Sequence, residues 1–141
     1  MFKNILKDCG AHGIHGQDFL TVLKGLWFQP AVRILLSHRI QRRLREKGGG
    51  FRIFLARLLW MRTFSKWGCD IGNKACVEPG VTFPHPLGIV IGNDVRIETG
   101  AKIFQNVTIG DKGGENYGRP VIKQGTTIFA NAVVVGDITI G

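Results

Sequence analysis

The second half of the chain carries a large aliphatic or aromatic residue at every sixth position. An early run keeps this spacing in one frame, a second run keeps it in a frame offset by two residues, and a third run resumes it after an interruption. The early run is Ile71, Val77, Phe83 and Ile89, and the later runs are Ile91, Ile97, Ile103 and Ile109, then Ile122, Ile128, Val134 and Ile140. An α-helix returns its apolar face every three or four residues, so this period excludes a helix.

A period of six suits short strands that are separated by tight turns and that each point one large side chain inward. The residue four positions later is usually small or branched, as at Ala75, Val95 and Ala101. Three such strands complete a triangular coil, and coils stacked at about 4.8 Å form a prism with an aliphatic interior. The sequence therefore predicts a parallel β-prism whose core is the periodic residues.

One polar, glycine-rich segment, "DKGGENYGRP" at 111–120, breaks the repeat between Ile109 and Ile122. Because the segment does not continue the period, we expect a loop that projects from the prism. A surface loop without a function is one interpretation. We favour a contact with substrate or with a neighbouring chain, since loops on a regular scaffold commonly carry binding residues.

The first half of the chain has a different composition. Residues 1–66 carry 13 Lys or Arg against 3 Asp or Glu, whereas residues 67–141 carry 6 against 7. The segment "QPAVRILLSHRIQRRLREKGGG" predicts an amphipathic helix over roughly 31–47, with a proline near its start and a glycine stop. A shorter helix is predicted in "QDFLTVLKGLWF". We therefore divide the chain into a basic α-helical region, 1–66, and a β-domain, 67–141.

A further helix is predicted in "FRIFLARLLWMRTFSKW", and it is apolar nearly all round because its arginines fall on different faces. At about 14 residues it is too short to span a bilayer, which needs about 20. Burial against a partner subunit is the main expectation. Peripheral contact with the anionic inner face of a membrane is the alternative, because basic residues cluster just before it. No nucleic-acid-binding motif accompanies the charge, so no nucleic-acid partner is predicted.

The three cysteines, Cys9, Cys69 and Cys76, are an odd number without metal-like pairing. This favours a reducing compartment and argues against a disulfide framework. The N-terminal "MFKNILKDCG" is polar and broken by glycine, so no signal peptide is expected. Together these features predict a cytoplasmic protein in which Cys69 and Cys76 are packing residues.

The stretch "FPHPLGIVIG" places His85 between Pro84 and Pro86. The prolines hold φ near about −65° and remove two backbone donors, so the ring stands on a stiff backbone. A histidine that caps a turn is the simplest interpretation, and a histidine aimed at a ligand is the alternative. The other histidines lack such a context and are expected to be surface or helix residues: His12, His15 and His38.

Four segments follow the basic region in a fixed order: "CDIGNKACVEPGVTFPHPLGIVIG", "NVTIG", a loop ending in "GRP", and "ANAVVVGDITIG". This order resembles the serine acetyltransferase branch of the hexapeptide-repeat family, over about residues 70–141. The resemblance implies an α+β fold, with N-terminal helices before a left-handed parallel β-helix that carries an extruded loop. It also implies acetyl-CoA as the acyl donor and a homotrimer, or a dimer of such trimers.

In that family a histidine just before "GIVIG" is the catalytic base, and an aspartate fifteen residues earlier pairs with it. Here the matching residues are His85 and Asp70. Acetyl transfer from a thioester to an alcohol needs a base to take the hydroxyl proton, and an imidazole is suited to this near neutral pH. A carboxylate on the other ring nitrogen sets the tautomer and stabilises the imidazolium. No metal is predicted, because no metal-like cluster is present in the sequence.

The chain departs from the family at two positions that would contact the acceptor. Pro84 stands where the family has an aspartate, and Arg119 stands where a second histidine is expected. An arginine there can bind a carboxylate, a phosphate or a sugar hydroxyl. With Tyr117 of the loop, these two are the candidate substrate-binding residues.

Three functions follow from these residues. Both departures weaken the match to a serine site. We favour O-acetylation of a sugar in surface polysaccharide synthesis, because "NVTIG" followed by a glycine-rich loop and "GRP" resembles the relatives that acetylate such sugars, and the basic helices would suit work near a membrane. Serine O-acetylation in cysteine biosynthesis is the alternative. A non-catalytic trimeric scaffold or membrane-associated module is the further alternative.

In the family, acetyl-CoA lies along the later coils in a groove between adjacent prisms of the trimer. The resemblance therefore implies cofactor contacts at Gly110, Ala130, Asn131 and Ala132. Small residues let the pantetheine arm approach the backbone. A tight coil without a ligand favours small residues too, so both interpretations stay open.

Overall fold

The computed structural model describes residues 1–113 and 118–141, and these form four helices followed by ten short strands. The helices are α1 (Phe2–Ala11), α2 (Phe19–Phe28), α3 (Pro30–Glu46) and α4 (Gly50–Trp67). The strands are β1 (Asp70–Ile71), β2 (Cys76–Val77), β3 (Val90–Ile91), β4 (Arg96–Ile97), β5 (Lys102–Ile103), β6 (Thr108–Gly110), β7 (Val121–Ile122), β8 (Thr127–Ile128), β9 (Val133–Val135) and β10 (Thr139–Ile140).

The strands form three parallel sheets, which are the faces of a prism. One sheet has the order β1-β3-β6-β9, the second β10-β7-β4-β2, and the third pairs β5 with β8. In the first sheet Ile71 lies opposite Ile91, and Ile109 lies between Ile91 and Val134. These side chains are buried together with the periodic residues of the other two sheets, which confirms the predicted core.

The two-residue offset between the early and later frames has a structural location. Ile71 pairs with Ile91, so the first coil is longer than the next, in which Ile91 pairs with Ile109. The extra length lies in the turn that carries His85. Ile89 is also buried, but it is Ile91 that continues the stack begun by Ile71. A break in the period therefore marks the turn with the candidate base.

Helix α3 closes one end of the prism. It begins at Pro30. Proline suits the first helical position, because the backbone N–H that it lacks would have no partner within the helix there. Ala31, Ile34 and Leu35 are buried in the same cluster as the first coil of the prism. The helical region and the prism therefore share one hydrophobic core.

Helix α1 was not predicted from the sequence, because its segment is polar and contains Gly10. It forms because one side packs against α2 and α3. A second, smaller cluster holds these three helices together: Ile5, Cys9, Val22 and Val32. Tertiary packing outweighs the weak local preference here.

Side chains of α1 and α3 satisfy the backbone groups at the open edge of the first coil. Arg39 Nη1 donates to the Val77 carbonyl at 3.1 Å, and Arg42 Nη1 donates to the Ala75 carbonyl at 3.4 Å. The Gly80 amide donates to Asp8 Oδ1 at 2.9 Å. A bare strand edge is a site for unwanted pairing, so this polar cover also limits aggregation.

Helix α4 is buried in the chain only at Ala56 and Thr63. Its large apolar side chains are exposed: Phe51, Ile53, Phe54, Leu58, Met61 and Phe64. The apolar surface of α4, which the sequence predicts to be buried, is therefore not covered by the rest of the same chain. No single described helix is long and apolar enough to cross a membrane, although the bent pair of α2 and α3 passes on length and composition.

His38 of α3 predicts a pH dependence of stability. Burial, together with the charge of the neighbouring Arg39, lowers the pKa of this imidazole to about 4. In the unfolded chain this imidazole takes up a proton near pH 6.5, whereas in the folded chain it stays neutral down to about pH 4. The free energy of unfolding therefore falls as the pH drops from 6.5 towards 4. The expected loss is up to about 3 kcal/mol.

Urea unfolding at several pH values measures this loss. His38→Leu removes the titrating group while keeping an apolar side chain of similar size. We expect a flatter dependence for this variant between pH 6.5 and pH 4 than for the unchanged protein. Equal slopes for the two proteins would show that His38 titrates normally.

Candidate active site

His85 lies on an exposed turn at one corner of the prism. Phe83 before it is 1% exposed and points into the core, as predicted. The Leu87 amide donates to the His85 carbonyl at 2.8 Å, which closes a three-residue turn around Pro86. Gly88 then takes φ of 64°, a left-handed conformation that suits glycine. The turn therefore holds the imidazole outside the prism on a stiff backbone.

Asp70 lies at the same corner, at the start of β1. Two bonds bring the segment before it against the His85 turn. The Gly88 amide donates to the Trp67 carbonyl at 3.0 Å, and the Cys69 thiol lies 3.5 Å from the Pro86 carbonyl. The fold thus brings the two candidate catalytic residues to one corner, although no hydrogen bond of the described residues joins them directly.

Trp60 of α4 is a partner of the candidate site that the sequence reasoning missed. Its indole Nε1 donates to Asp70 Oδ1 at 2.8 Å. The indole also stacks on Phe64, with ring centroids 5.3 Å apart. One carboxylate oxygen of Asp70 is therefore held by the helical region. Nothing in the sequence pattern singled out this tryptophan, because the contact joins a helix to the prism.

A row of aromatic rings continues from His85 along the prism. The His85 and Phe104 ring centroids are 6.0 Å apart, and those of Phe104 and Phe129 are 5.5 Å apart. Phe129 is 69% exposed. Phe104 is half-buried and its ring is tilted by 56° from that of His85, so the row offers a partly exposed apolar surface beside the candidate base.

The predicted acceptor residues are only partly described. Pro84 is exposed beside His85. Arg119 Nη2 forms an ion pair with Asp111 Oδ2 at 3.0 Å. Tyr117 lies outside the described residues, as do the other residues of 114–117, so the predicted extruded loop is not confirmed. Asp111 is a partner that the sequence reasoning did not assign.

The predicted cofactor residues lie on two parts of the prism. Gly110 ends β6, and its carbonyl accepts from the Gly136 amide at 3.1 Å. Ala130, Asn131 and Ala132 form the corner between β8 and β9.

Asn131 has φ of 64°, and its Oδ1 accepts from Asn106 Nδ2 at 3.2 Å. Asn106 has φ of 56° and occupies the same corner one coil earlier. Asparagine tolerates the left-handed conformation, so both residues have a structural role as turn formers.

His12 is a second contact that the sequence reasoning missed, since the sequence placed it on the surface or in a helix. Its Nε2 accepts a hydrogen bond from the Phe83 amide at 3.3 Å. Its Nδ1 lies 2.7 Å from the Asp8 carbonyl. His12 thus joins the end of α1 to the residue two positions before His85.

Two of the three cysteines, Cys9 and Cys69, lie in buried surroundings that disfavour a thiolate. Burial raises the pKa of the Cys9 and Cys69 thiols. A thiol with a raised pKa is a poor nucleophile near neutral pH. Within the described residues, no group of three or more His, Cys, Asp or Glu could hold a metal ion.

Known proteins resemble the chain in both sequence and fold. The serine acetyltransferase of Buchnera aphidicola from Schizaphis graminum is 37% identical over 125 residues, which are 86% of this chain and 44% of that protein. The Haemophilus influenzae serine acetyltransferase is 31% identical over 137 residues, or 95% of this chain and 51% of that protein. The chain therefore spans about half the length of the curated relatives it matches. No protein-family model matches it.

The solved structures agree with the sequence relatives. The Neisseria gonorrhoeae serine acetyltransferase in complex with serine has a TM-score of 0.82 and 28% identity, and covers 99% of this chain and 56% of that chain. A serine acetyltransferase in complex with CoA has a TM-score of 0.78 and 27% identity, with the same coverage.

The parallel prism, the N-terminal helices and these likenesses place the chain in the hexapeptide-repeat acyltransferase family, whose fold is a left-handed β-helix. Within that class, the chain belongs to the serine acetyltransferase-like branch.

Proposed function

We propose that the protein is an acetyl-CoA-dependent O-acetyltransferase whose base is His85. The observation that carries this proposal is the corner of the prism, where the turn with His85 and the start of β1 with Asp70 are held together. The stiff turn leaves the imidazole exposed, so that it can reach the hydroxyl proton of a bound acceptor. The relatives named as serine acetyltransferases support the same reaction class.

In this proposal His85 takes the proton from the acceptor hydroxyl as the oxygen attacks the thioester carbon. Asp70 faces the other ring nitrogen, sets its tautomer and stabilises the imidazolium that forms. Trp60 Nε1 donates to Asp70 Oδ1 and so fixes the carboxylate, whose two oxygens have further lone pairs that can accept from the imidazole. The proton then passes from His85 to the departing thiolate of CoA.

The proposed acyl-donor contacts are Gly110, Ala130, Asn131 and Ala132. Ala130 and Ala132 are partly exposed and small, so an extended pantetheine arm can approach the backbone there. Arg119 and Pro84 remain proposed acceptor contacts. Arg119 pairs with Asp111 through Nη2, and a guanidinium has five N–H donors, so the same side chain can bind an acceptor as well.

Serine is the acceptor that the comparisons support best. Every relative reported above is named a serine acetyltransferase, and one of the solved structures contains serine. The prediction of a sugar in polysaccharide synthesis has no support from them. A sugar stays a second candidate for one structural reason, which is the row of aromatic rings beside His85, because aromatic faces are apolar surfaces on which a sugar ring can pack.

We also propose that the enzyme is a cytoplasmic homotrimer, with residues 1–66 as its helical region and 67–141 as its catalytic prism. The exposed apolar face of α4 is consistent with burial against another subunit. The comparisons do not support the predicted membrane contact. A dimer of trimers is an extension of the same proposal.

A thiol-release assay with acetyl-CoA tests the function and the acceptor together. We expect release with serine, and we expect homoserine and a panel of sugars and nucleotide sugars to be weaker. Release with a sugar alone would replace serine by the second candidate. No release with any acceptor, combined with no binding of acetyl-CoA by calorimetry, would favour a non-catalytic scaffold.

A further inference from the structure

The backbone amide of Phe83 points away from the stacked coils, towards the open end of the prism. The neighbouring Thr82 uses its amide and its carbonyl to pair with the next coil, bonding the Ala101 carbonyl and the Ile103 amide at 2.9 Å each. No earlier coil lies below Phe83 to accept its hydrogen. His12 Nε2 takes that place at 3.3 Å. A side chain of the helical region therefore substitutes for a missing strand just before the His85 turn.

The two contacts of His12 determine its protonation state. A carbonyl oxygen can only accept, so Nδ1 must carry the hydrogen that bonds the Asp8 carbonyl. A backbone amide can only donate, so Nε2 must be unprotonated to accept from Phe83. Only the neutral imidazole with its proton on Nδ1 satisfies both contacts. If Nε2 carried a hydrogen, its N–H would face the N–H of Phe83, and two donors cannot form a hydrogen bond.

The end of α1 that carries His12 is anchored firmly to the same edge. Asp8 is 1% exposed and forms an ion pair with Arg39 at 2.9 Å. Its Oδ1 also accepts from the Gly80 amide. Asp8 and His12 are four residues apart and therefore lie one helical turn apart, so α1 holds the coil at two points, Gly80 and Phe83.

We propose that His12 is a positioning residue for His85. Its neutral imidazole fixes the backbone at Phe83 and so fixes the turn between Pro84 and Pro86 on which the base stands. The proposal rests on the function proposed above for His85, but the contact with Phe83 can be tested without it. Nothing in the reaction itself requires His12 to touch a substrate.

Amide hydrogen exchange by NMR tests the contact directly. In His12→Ala we expect the Phe83 amide to exchange about tenfold faster, as the loss of one hydrogen bond implies. The Ile103 amide, which bonds within the prism, is the internal control and should not change. Unchanged exchange at Phe83 would overturn the proposal.

Thiol-release kinetics test the positioning role. We expect kcat of His12→Ala to fall about tenfold while KM for acetyl-CoA stays within about twofold, because the donor contacts are elsewhere. His15→Ala, an exposed histidine three residues away, is the matched control and should match the unchanged protein.

His12→Gln tests the two hydrogen bonds themselves, because its side-chain amide can donate to the Asp8 carbonyl and accept from the Phe83 amide. It should restore most of the kcat that His12→Ala loses. Normal kcat in His12→Ala would overturn the positioning role. If no protein releases thiol, the function proposed for His85 fails, and the Phe83 amide still decides whether His12 holds the turn.

Discussion

His85→Ala is expected to reduce thiol release from acetyl-CoA by about a thousandfold, because a positioned general base contributes about 10² to 10⁴ to the rate. The exposed turn holds this ring outside the core, so its removal leaves the packing of Phe83 and Ile89 intact. KM for acetyl-CoA should change little, since the proposed donor contacts are on later coils. Steady-state kinetics with serine as acceptor measure both effects.

Two comparisons make the His85 experiment decisive. Circular dichroism and the unfolding midpoint of His85→Ala should match those of the unchanged protein. Asp70→Asn should also lower kcat, because the amide cannot stabilise an imidazolium as a carboxylate does. Undiminished turnover in His85→Ala would assign the base to another residue.

Arg39→Ala is expected to lower the free energy of unfolding by about 3–5 kcal/mol, the range for breaking one side of a buried ion pair. The Asp8 and Arg39 side chains are 1% and 12% exposed, so water cannot replace the lost partner easily. Burial already raises the pKa of the Asp8 carboxyl, and Arg39 opposes that rise. The loss should therefore be a substantial fraction of a total stability of about 5–15 kcal/mol.

Arg42→Ala is the matched control for this change. Arg42 also lies on α3 and also donates to a carbonyl of the first coil, but its ion pair with Glu46 is exposed. We expect a loss below about 1 kcal/mol, as for other surface pairs.

The double variant Asp8→Asn with Arg39→Ala should recover part of the loss, because the amide side chain that replaces the carboxylate is neutral and can still accept from Gly80. Urea unfolding measures all four proteins. Equal losses in Arg39→Ala and Arg42→Ala would contradict the importance of burial at this pair.

Much of the prism could be predicted because its signal is local and periodic. Each strand of a coil needs one aliphatic side chain that points inward, and Ile97 and Ile103 fill this position in successive strands. Helix α3 was predicted for a similar reason, with Pro30 at its start. Helix α1 was missed because its stability comes from contacts with α2 and α3 and not from its own residues.

The candidate site divides in the same way. The spacing of His85 and Asp70 could be read from the chain, since a family resemblance supplied the pattern. Trp60 and His12 could not be read, because each reaches the site from the helical region across the fold. The spacing of residues along the chain contains no signal for such contacts.

The sequence by itself determined the six-residue period, the basic first half and the stiff histidine between two prolines. These depend on residue type and spacing along one segment, which the chain displays directly. Only the tertiary structure decided which side chains bond the backbone groups at the open edge of the first coil. These side chains are Asp8, His12, Arg39 and Arg42. The physical reason is that backbone donors and acceptors left without a strand must find partners, and those partners are set by how the helices pack.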